Sequence, residues 1–148
     1  MHISTKGRYA LRLMIDLSMH DTGENVSLKE ISERQEISVK YLEQIISMLN
    51  RAGYVRSVRG SNGGYRLTRD PSEYTVGMIL RLTEGSICVA PCTESEVNTC
   101  PRYRSCVTVG VWEKINKAVS DVVDNITLAD LAREEREKIE NFPGDYVI

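Results

Sequence analysis

Four thiols, Cys88, Cys92, Cys100 and Cys106, fall within nineteen residues of a 148-residue chain that has no other cysteine. Their spacing, Cys-x3-Cys-x7-Cys-x5-Cys, lacks the tight Cys-x2-Cys pairs that structural zinc sites favour. Loosely spaced soft donors in an irregular segment suit an iron–sulfur cluster, whose bridging sulfides span the distance between ligands. Such a group is also a chemical sensor, since its assembly needs iron, sulfide and reduced thiols. On the residues alone, unligated surface thiols, a thiol–disulfide switch and zinc stay open beside it. Charge does not choose among them: Arg102 and Arg104 offset a thiolate cluster, and Glu94 and Glu96 oppose it.

No run approaches the ~18 apolar residues of a membrane span. The first residues, "MHISTKGRYALRLM", show no long apolar stretch followed by a small-residue cleavage site. The expected location is therefore the cytoplasm, with no membrane partner. Thiols are kept reduced there, which argues against structural disulfides. Net charge is −2, divided as +3 over residues 1–70 and −5 over residues 71–148. That asymmetry predicts a polyanion against the first half.

The elements that must position these groups follow from periodicity and caps. Tyr9, Ala10, Leu13, Met14 and Leu17 have the i, i+3, i+4 spacing of an amphipathic helix. Ser27 caps a short helix, Leu28 to Glu36, and Glu30 completes a capping box. Ser38 caps a third helix to about Ala52, with Tyr41, Leu42, Ile45 and Leu49 as its apolar stripe and Gly53 as its stop. Two short helices with almost nothing between them are the sequence image of a helix-turn-helix. Strands over Tyr54 to Val58 and Tyr65 to Thr68 then flank a Gly-Ser-Asn-Gly-Gly tip, which makes a β-hairpin wing.

Thr75 caps a fourth helix ending at Gly85, and Ser86 to Ser105 carries no period, the mark of a functional loop. Beyond it, Val111, Ile115, Ala118 and Val122 form one apolar stripe of a long helix, and Trp112, Val119, Val123 and Ile126 the next. So wide a face predicts packing against both its own domain and a second copy of the chain. Thr127 caps a last helix, and residues 141–148 read as a tail. The expected fold is mainly α with a small β-hairpin wing: a winged helix-turn-helix plus a long dimerisation helix. The expected division is a DNA-binding domain over 1–85, a cysteine-rich cluster-binding loop over 86–106, and a dimerisation helix with a C-terminal helix over 107–148.

A recognition helix reads base edges through its first turns, where Ser38, Lys40, Tyr41, Glu43 and Gln44 stand. Gln pairs with adenine, and Glu accepts from the amino group of cytosine. Arg59, beside Gly60 at the hairpin tip, is placed for a narrow minor groove with its concentrated negative potential. Arg51, Arg56, Arg66 and Lys6 or Arg8 are candidates for phosphate contacts. The partner so described is double-stranded DNA.

The segments "ISTKGRYAL", "ISERQEIS", "YLEQ", "VRSVRGSNGGYRL" and "NITLADL", in this order and with a cysteine loop before the Trp112 helix, resemble the IscR-type family of bacterial winged-helix regulators. That family includes nitric-oxide-sensing and cysteine-metabolism branches. The resemblance spans nearly the whole chain. It implies a homodimer, swapped across the long helix, on a pseudo-palindromic operator. In the IscR branch it further implies a [2Fe-2S] cluster held by three loop cysteines, here Cys92, Cys100 and Cys106. Three departures leave the fourth ligand open. Val109 stands where IscR has a histidine, seven residues rather than five separate the first two ligand cysteines, and Arg8 occupies a position where some branches have a carboxylate. Cys88, a partner-subunit Asp or Glu, or an exogenous ligand could complete the set, and [4Fe-4S] stays open beside [2Fe-2S].

The leading expectation is an iron–sulfur-sensing transcriptional regulator of iron–sulfur assembly genes. The alternative is a metal-free regulator of cysteine and sulfur metabolism, governed by a partner enzyme or by thiol oxidation. An enzyme is not expected: no Ser-His or Cys-His pairing can be argued, and "GSNGGY" lacks the Lys-Ser/Thr of a phosphate-binding loop. Arg59→Ala is expected to weaken specific duplex binding. Log affinity should fall with log salt at ~0.9 per phosphate contact, measured by fluorescence anisotropy; salt-independent binding contradicts the DNA reading.

Overall fold

Ser4 begins the fold as an N-cap, accepting the Gly7 N–H at 3.1 Å ahead of α1 (Thr5–Met19). The computed structural model describes residues 1–145; the last three residues of the tail lie outside them. The predicted apolar stripe of α1 is the centre of the core, with Ala10, Leu13, Met14 and Leu17 all at most 2% exposed. Around it stand α2 (Leu28–Gln35), α3 (Val39–Arg51), α4 (Val76–Glu84) and α6 (Leu128–Asn141), while α5 (Val109–Val123) lies against α4. Leu42, Ile45 and Leu49 of α3, Ile31 of α2, Ile79 of α4 and Leu128 of α6 complete one continuous core.

The wing is β1 (Val55–Val58) paired antiparallel with β2 (Gly64–Leu67), in the register Val55 to Leu67 and Arg56 to Arg66. It is not free-standing. Val26 and Tyr65 exchange backbone hydrogen bonds at 2.9 and 2.8 Å, which fastens the wing to the loop before α2. Gly64 makes that approach possible: its φ is +147°, and a Cβ there would lie 2.5 Å from the Val26 carbonyl oxygen. The fold is thus the mainly α winged-helix class that the sequence predicts.

The predicted capping box of Ser27 with Glu30 forms, and the predicted Thr127 cap is completed into a second box by Asp130. The strands differ from their expected ranges by one residue, Tyr54 and Thr68 falling outside and Gly64 inside, and two helix boundaries also differ. The second helix stops at Gln35 because Glu36 turns to φ 55°, a left-handed residue that lets the chain reverse into Ser38 and α3. The long helix is shorter than its apolar pattern, running from Val109 to Val123. Asp124 and Asn125 turn the chain so that the Ile126 carbonyl accepts the Val76 N–H at 2.9 Å, which docks the α5–α6 corner on α4.

Tyr74, fully buried, knots the base of the wing to this corner. Its hydroxyl donates to the Tyr54 carbonyl at 2.7 Å and accepts the Thr68 and Arg69 N–H groups at 3.2 and 3.1 Å. Tyr74→Phe leaves the Arg69 N–H without this acceptor and the Tyr54 carbonyl and Thr68 N–H with only their mutual bond of 3.3 Å. It should destabilise the fold by about 1–3 kcal/mol in urea unfolding; no loss of stability would show that water replaces the hydroxyl.

Candidate nucleic-acid interface and thiol loop

The start of α3 stands clear of the core: Ser38, Val39, Lys40, Glu43 and Gln44 are exposed, while Leu42 and Ile45 on the opposite side are buried. The alternation follows from helical period, since positions 42, 45, 46 and 49 share the inner face. Ser38 spends its hydroxyl lone pair on the Tyr41 N–H at 3.2 Å and keeps its proton to donate. Tyr41 is half-buried, its ring edge-on to Tyr9 at 5.6 Å. Arg59 and Gly60 are exposed at the wing tip, with Gly60 at φ +112°.

A buried carboxylate anchors the end of α2, which leads into α3. Asp16 of α1, 2% exposed, receives Arg34 through two hydrogen bonds of 3.0 and 2.7 Å and the Gln35 amide at 2.9 Å. The hydrogen bond to Asp16 holds the Arg34 guanidinium above its ordinary range. Arg12 adds a bond to the Gln35 side chain at 3.2 Å. The end of α2, and with it the turn into α3, is therefore clamped to α1. Sequence reasoning missed this clamp, because residues eighteen apart carry no periodic signal.

Another juxtaposition was also missed. Arg56 and Arg66 sit directly across the hairpin, where like charges repel. The Arg66 Nε is buried without a hydrogen-bond partner among the described residues. Two arginines facing each other across the strands, one with an unpartnered donor, carry the chemistry that recognises phosphate oxygens. The alternation of the two strands was the available signal, once their register was known.

The thiol loop has a different character. From Cys88 to Thr108 no side chain is buried, and two short 3-10 turns, Pro91–Thr93 and Tyr103–Ser105, are its regular structure. Polar tethers to α5 place it. Asn116 accepts the Val89 N–H at 2.9 Å and donates to the Thr93 hydroxyl at 2.8 Å, while the Tyr103 hydroxyl donates to Glu113 at 3.2 Å. All four cysteines are free; Cys92 is exposed and the others half-buried. Cys88 lies 3.5 Å from the Thr93 carbonyl. Cys106 touches the Thr108 hydroxyl at 3.2 Å; that contact, and then the Val109 N–H at the start of α5, hold its thiol below the ordinary range. Among the described residues no three His, Cys, Asp or Glu side chains converge closely enough to hold a metal ion. Cys92, Cys100 and Cys106 thus share one loop but not yet one point in space.

A family model for iron-dependent transcriptional regulators, Rrf2, matches residues 3–134. The chain belongs to the Rrf2 family. Protein rrf2 of Nitratidesulfovibrio vulgaris is 39% identical over 134 residues, which is 90% of this chain and 89% of that protein. The HTH-type transcriptional regulator IscR of Photobacterium profundum is 40% identical over 134 residues, 90% of this chain and 77% of the relative. Two solved structures are similar: CymR, the global cysteine regulator of B. subtilis, at 38% identity and TM-score 0.75, and T. potens IscR at 42% and 0.73. They cover 90% and 93% of this chain, and the alignments take in 98% and 90% of theirs. Transcription regulation and DNA binding are thereby supported for this Rrf2 chain. No helix of the described residues is long and apolar enough to cross a membrane.

Removing the clamp by Asp16→Ala leaves Arg34, which is one third exposed, without its carboxylate. The change should cost about 2–3 kcal/mol, between the surface and buried cases, and weaken DNA binding more than stability alone explains. Denaturant titration and anisotropy together check this; wild-type affinity in the folded variant would contradict the clamp's role.

Proposed function

We propose that this Rrf2 protein is an iron–sulfur-sensing transcriptional regulator. On this reading it acts in the cytoplasm as a homodimer on pseudo-palindromic operators of iron–sulfur assembly genes. One observation carries it: a loop with four free thiols is hydrogen-bonded to α5, and α5 is in turn tied to the unit that presents an exposed recognition helix. Ser38, Lys40, Tyr41, Glu43 and Gln44 take the major groove, Arg59 with Gly60 the minor groove, and Arg56 with Arg66 the phosphates.

The second copy is accounted for by α5. No residue of this helix is buried, and Val111, Ile115 and Val122 are 49%, 38% and 57% exposed. Beside it runs an apolar groove of about 440 Å³ lined by Ile3, Leu80, Ile87, Ile115, Val119 and Val123 among others. Packing an equivalent helix into that groove removes the exposed stripe from water.

The donor set fits an iron–sulfur group by its chemistry: soft thiolates, one of them already favoured at the start of a helix. Cys92, Cys100 and Cys106 would hold it, as [2Fe-2S]. When bound, such a group would supply a bridge among the three thiolates that persists only while iron, sulfide and reducing conditions last. The chain does the rest. Movement of the loop loads Asn116 and Glu113 on α5, and Arg81 passes it to α4 through Asp124 at 2.5 and 3.0 Å. Glu84 of α4 accepts the Ser4 hydroxyl at 2.7 Å at the start of α1, the helix that clamps the recognition unit. Glu43 serves as a selectivity filter, disfavouring one operator class until the seating of α3 changes.

A second reading keeps the same DNA-reading face without a metal. It is favoured by the likeness to CymR, including a solved S. aureus CymR in oxidized form at 41% identity and TM-score 0.69. Here a partner enzyme or thiol oxidation governs binding in cysteine metabolism. Anaerobic purification separates the two: visible charge-transfer absorbance with near-stoichiometric iron and sulfide, lost in Cys92→Ser, Cys100→Ser and Cys106→Ser, supports the first reading. A colourless protein whose regulation survives those changes supports the second. Glu43→Ala should let the metal-free protein bind more operators, by about tenfold at sites it otherwise rejects; unchanged selectivity removes the filter.

A further inference from the structure

We propose that Asn116 and Asn98 are the positioning residues of the thiol loop, Asn116 fixing Cys92 against α5 and Asn98 fixing Cys100 against Cys92. The inference rests on the reading of Cys92, Cys100 and Cys106 as ligands, and it concerns residues with no metal-binding atom of their own in that set.

With no buried side chain between residues 88 and 108, apolar packing cannot define where the thiols sit. A cleft of about 510 Å³, lined by Thr93, Asn98, Tyr103, Glu113 and Asn116 among others, separates the loop from α5. Side-chain hydrogen bonds across and along that cleft must set the geometry instead. Asn116 brackets Cys92: it holds the chain at Val89, three residues before the thiol, and at Thr93, one residue after it. The 3-10 turn carrying Cys92 is thus pinned to α5 at both ends.

Asn98 makes the second clip. Its amide donates to the Cys92 carbonyl at 2.6 Å, and its oxygen accepts the Cys100 N–H at 2.9 Å, so one side chain joins two of the three proposed ligands. The third, Cys106, is referred to the same helix through Thr108. Glu113, one turn before Asn116 on the same face of α5, holds the turn between Cys100 and Cys106 through Tyr103. All three thiols are therefore indexed to the first two turns of α5. Capture of a shared ligand then requires drawing together groups whose backbones are already held, which lowers the ordering entropy that binding must overcome.

The test uses the full chain with Asn116→Ala, Asn98→Ala, the double variant and Asn116→Asp. One arm needs no iron. The rate at which a trivalent arsenical that requires two neighbouring thiols captures the metal-free protein should fall about fivefold with either alanine, as one or two lost hydrogen bonds imply. The other arm follows the anaerobically reconstituted protein: iron should load but be lost to a chelator at least fivefold faster, with altered visible circular dichroism. Asn116→Asp keeps the acceptor for Val89 and should fall between. Unchanged capture and unchanged iron loss in folded Asn98→Ala and Asn116→Ala overturn the proposal. Wild-type protein that takes up no iron or sulfide overturns the cluster reading alone, and the arsenical arm then decides the positioning claim.

Discussion

Burial of α1 is the constraint on which the rest of the structure depends. Its apolar stripe is enclosed by α2, α3, the wing, α4 and α6, so each of these is placed by reference to one helix. Its polar positions are as consequential as its apolar ones. Asp16 fixes the end of α2, and Ser4 and Gly7 meet Glu84 of α4 so closely that a Cβ on Gly7 would lie 2.1 Å from that carboxylate. A close-packed interior of this kind transmits displacement rather than absorbing it. The recognition helix and the helix beside the thiol loop therefore share a rigid intermediary.

That arrangement divides the molecule by the kind of force that holds it. The DNA-reading unit is held by a continuous apolar core, whose large-to-small substitutions typically cost 2–5 kcal/mol. The thiol loop is held by individual polar contacts, each of net worth about 1 kcal/mol. A segment so weakly fixed is easier to rearrange than a unit held by a continuous apolar core. Both functional readings use this same division. They differ in which chemistry acts on the loop, and the chain is similar in structure to both an IscR and a CymR.

Most of the fold was legible because it is written in local or periodic signals. Ser27, Ser38, Thr75 and Thr127 announced helix starts, Gly53 and Gly85 announced stops, and the α1 and α3 stripes matched the buried faces. The wing followed from two short strand-like runs around a glycine-rich tip. The breadth of the α5 stripe was legible as well, and none of that helix is buried within the single chain. What was not legible depends on distance in sequence. The Asp16–Arg34 clamp, the Tyr74 knot and the Asn116 tether join residues 18, 20 and 27 apart through single side chains. Glu36 hid its left-handed backbone because Glu is an ordinary helix former. The cysteines were visible as a group, but sequence spacing does not say that among the described residues no three such side chains converge.

The central claim is that the state of the thiol loop is felt at the DNA-reading face. Its most direct test is operator affinity, by fluorescence anisotropy at fixed salt, for the same anaerobic preparation before and after removal of iron and sulfide. The account predicts that affinity for at least one operator class changes by about tenfold or more, a coupling of ~1.4 kcal/mol within the usual allosteric range. Equal affinities in a preparation shown to carry and then lose its iron would contradict it.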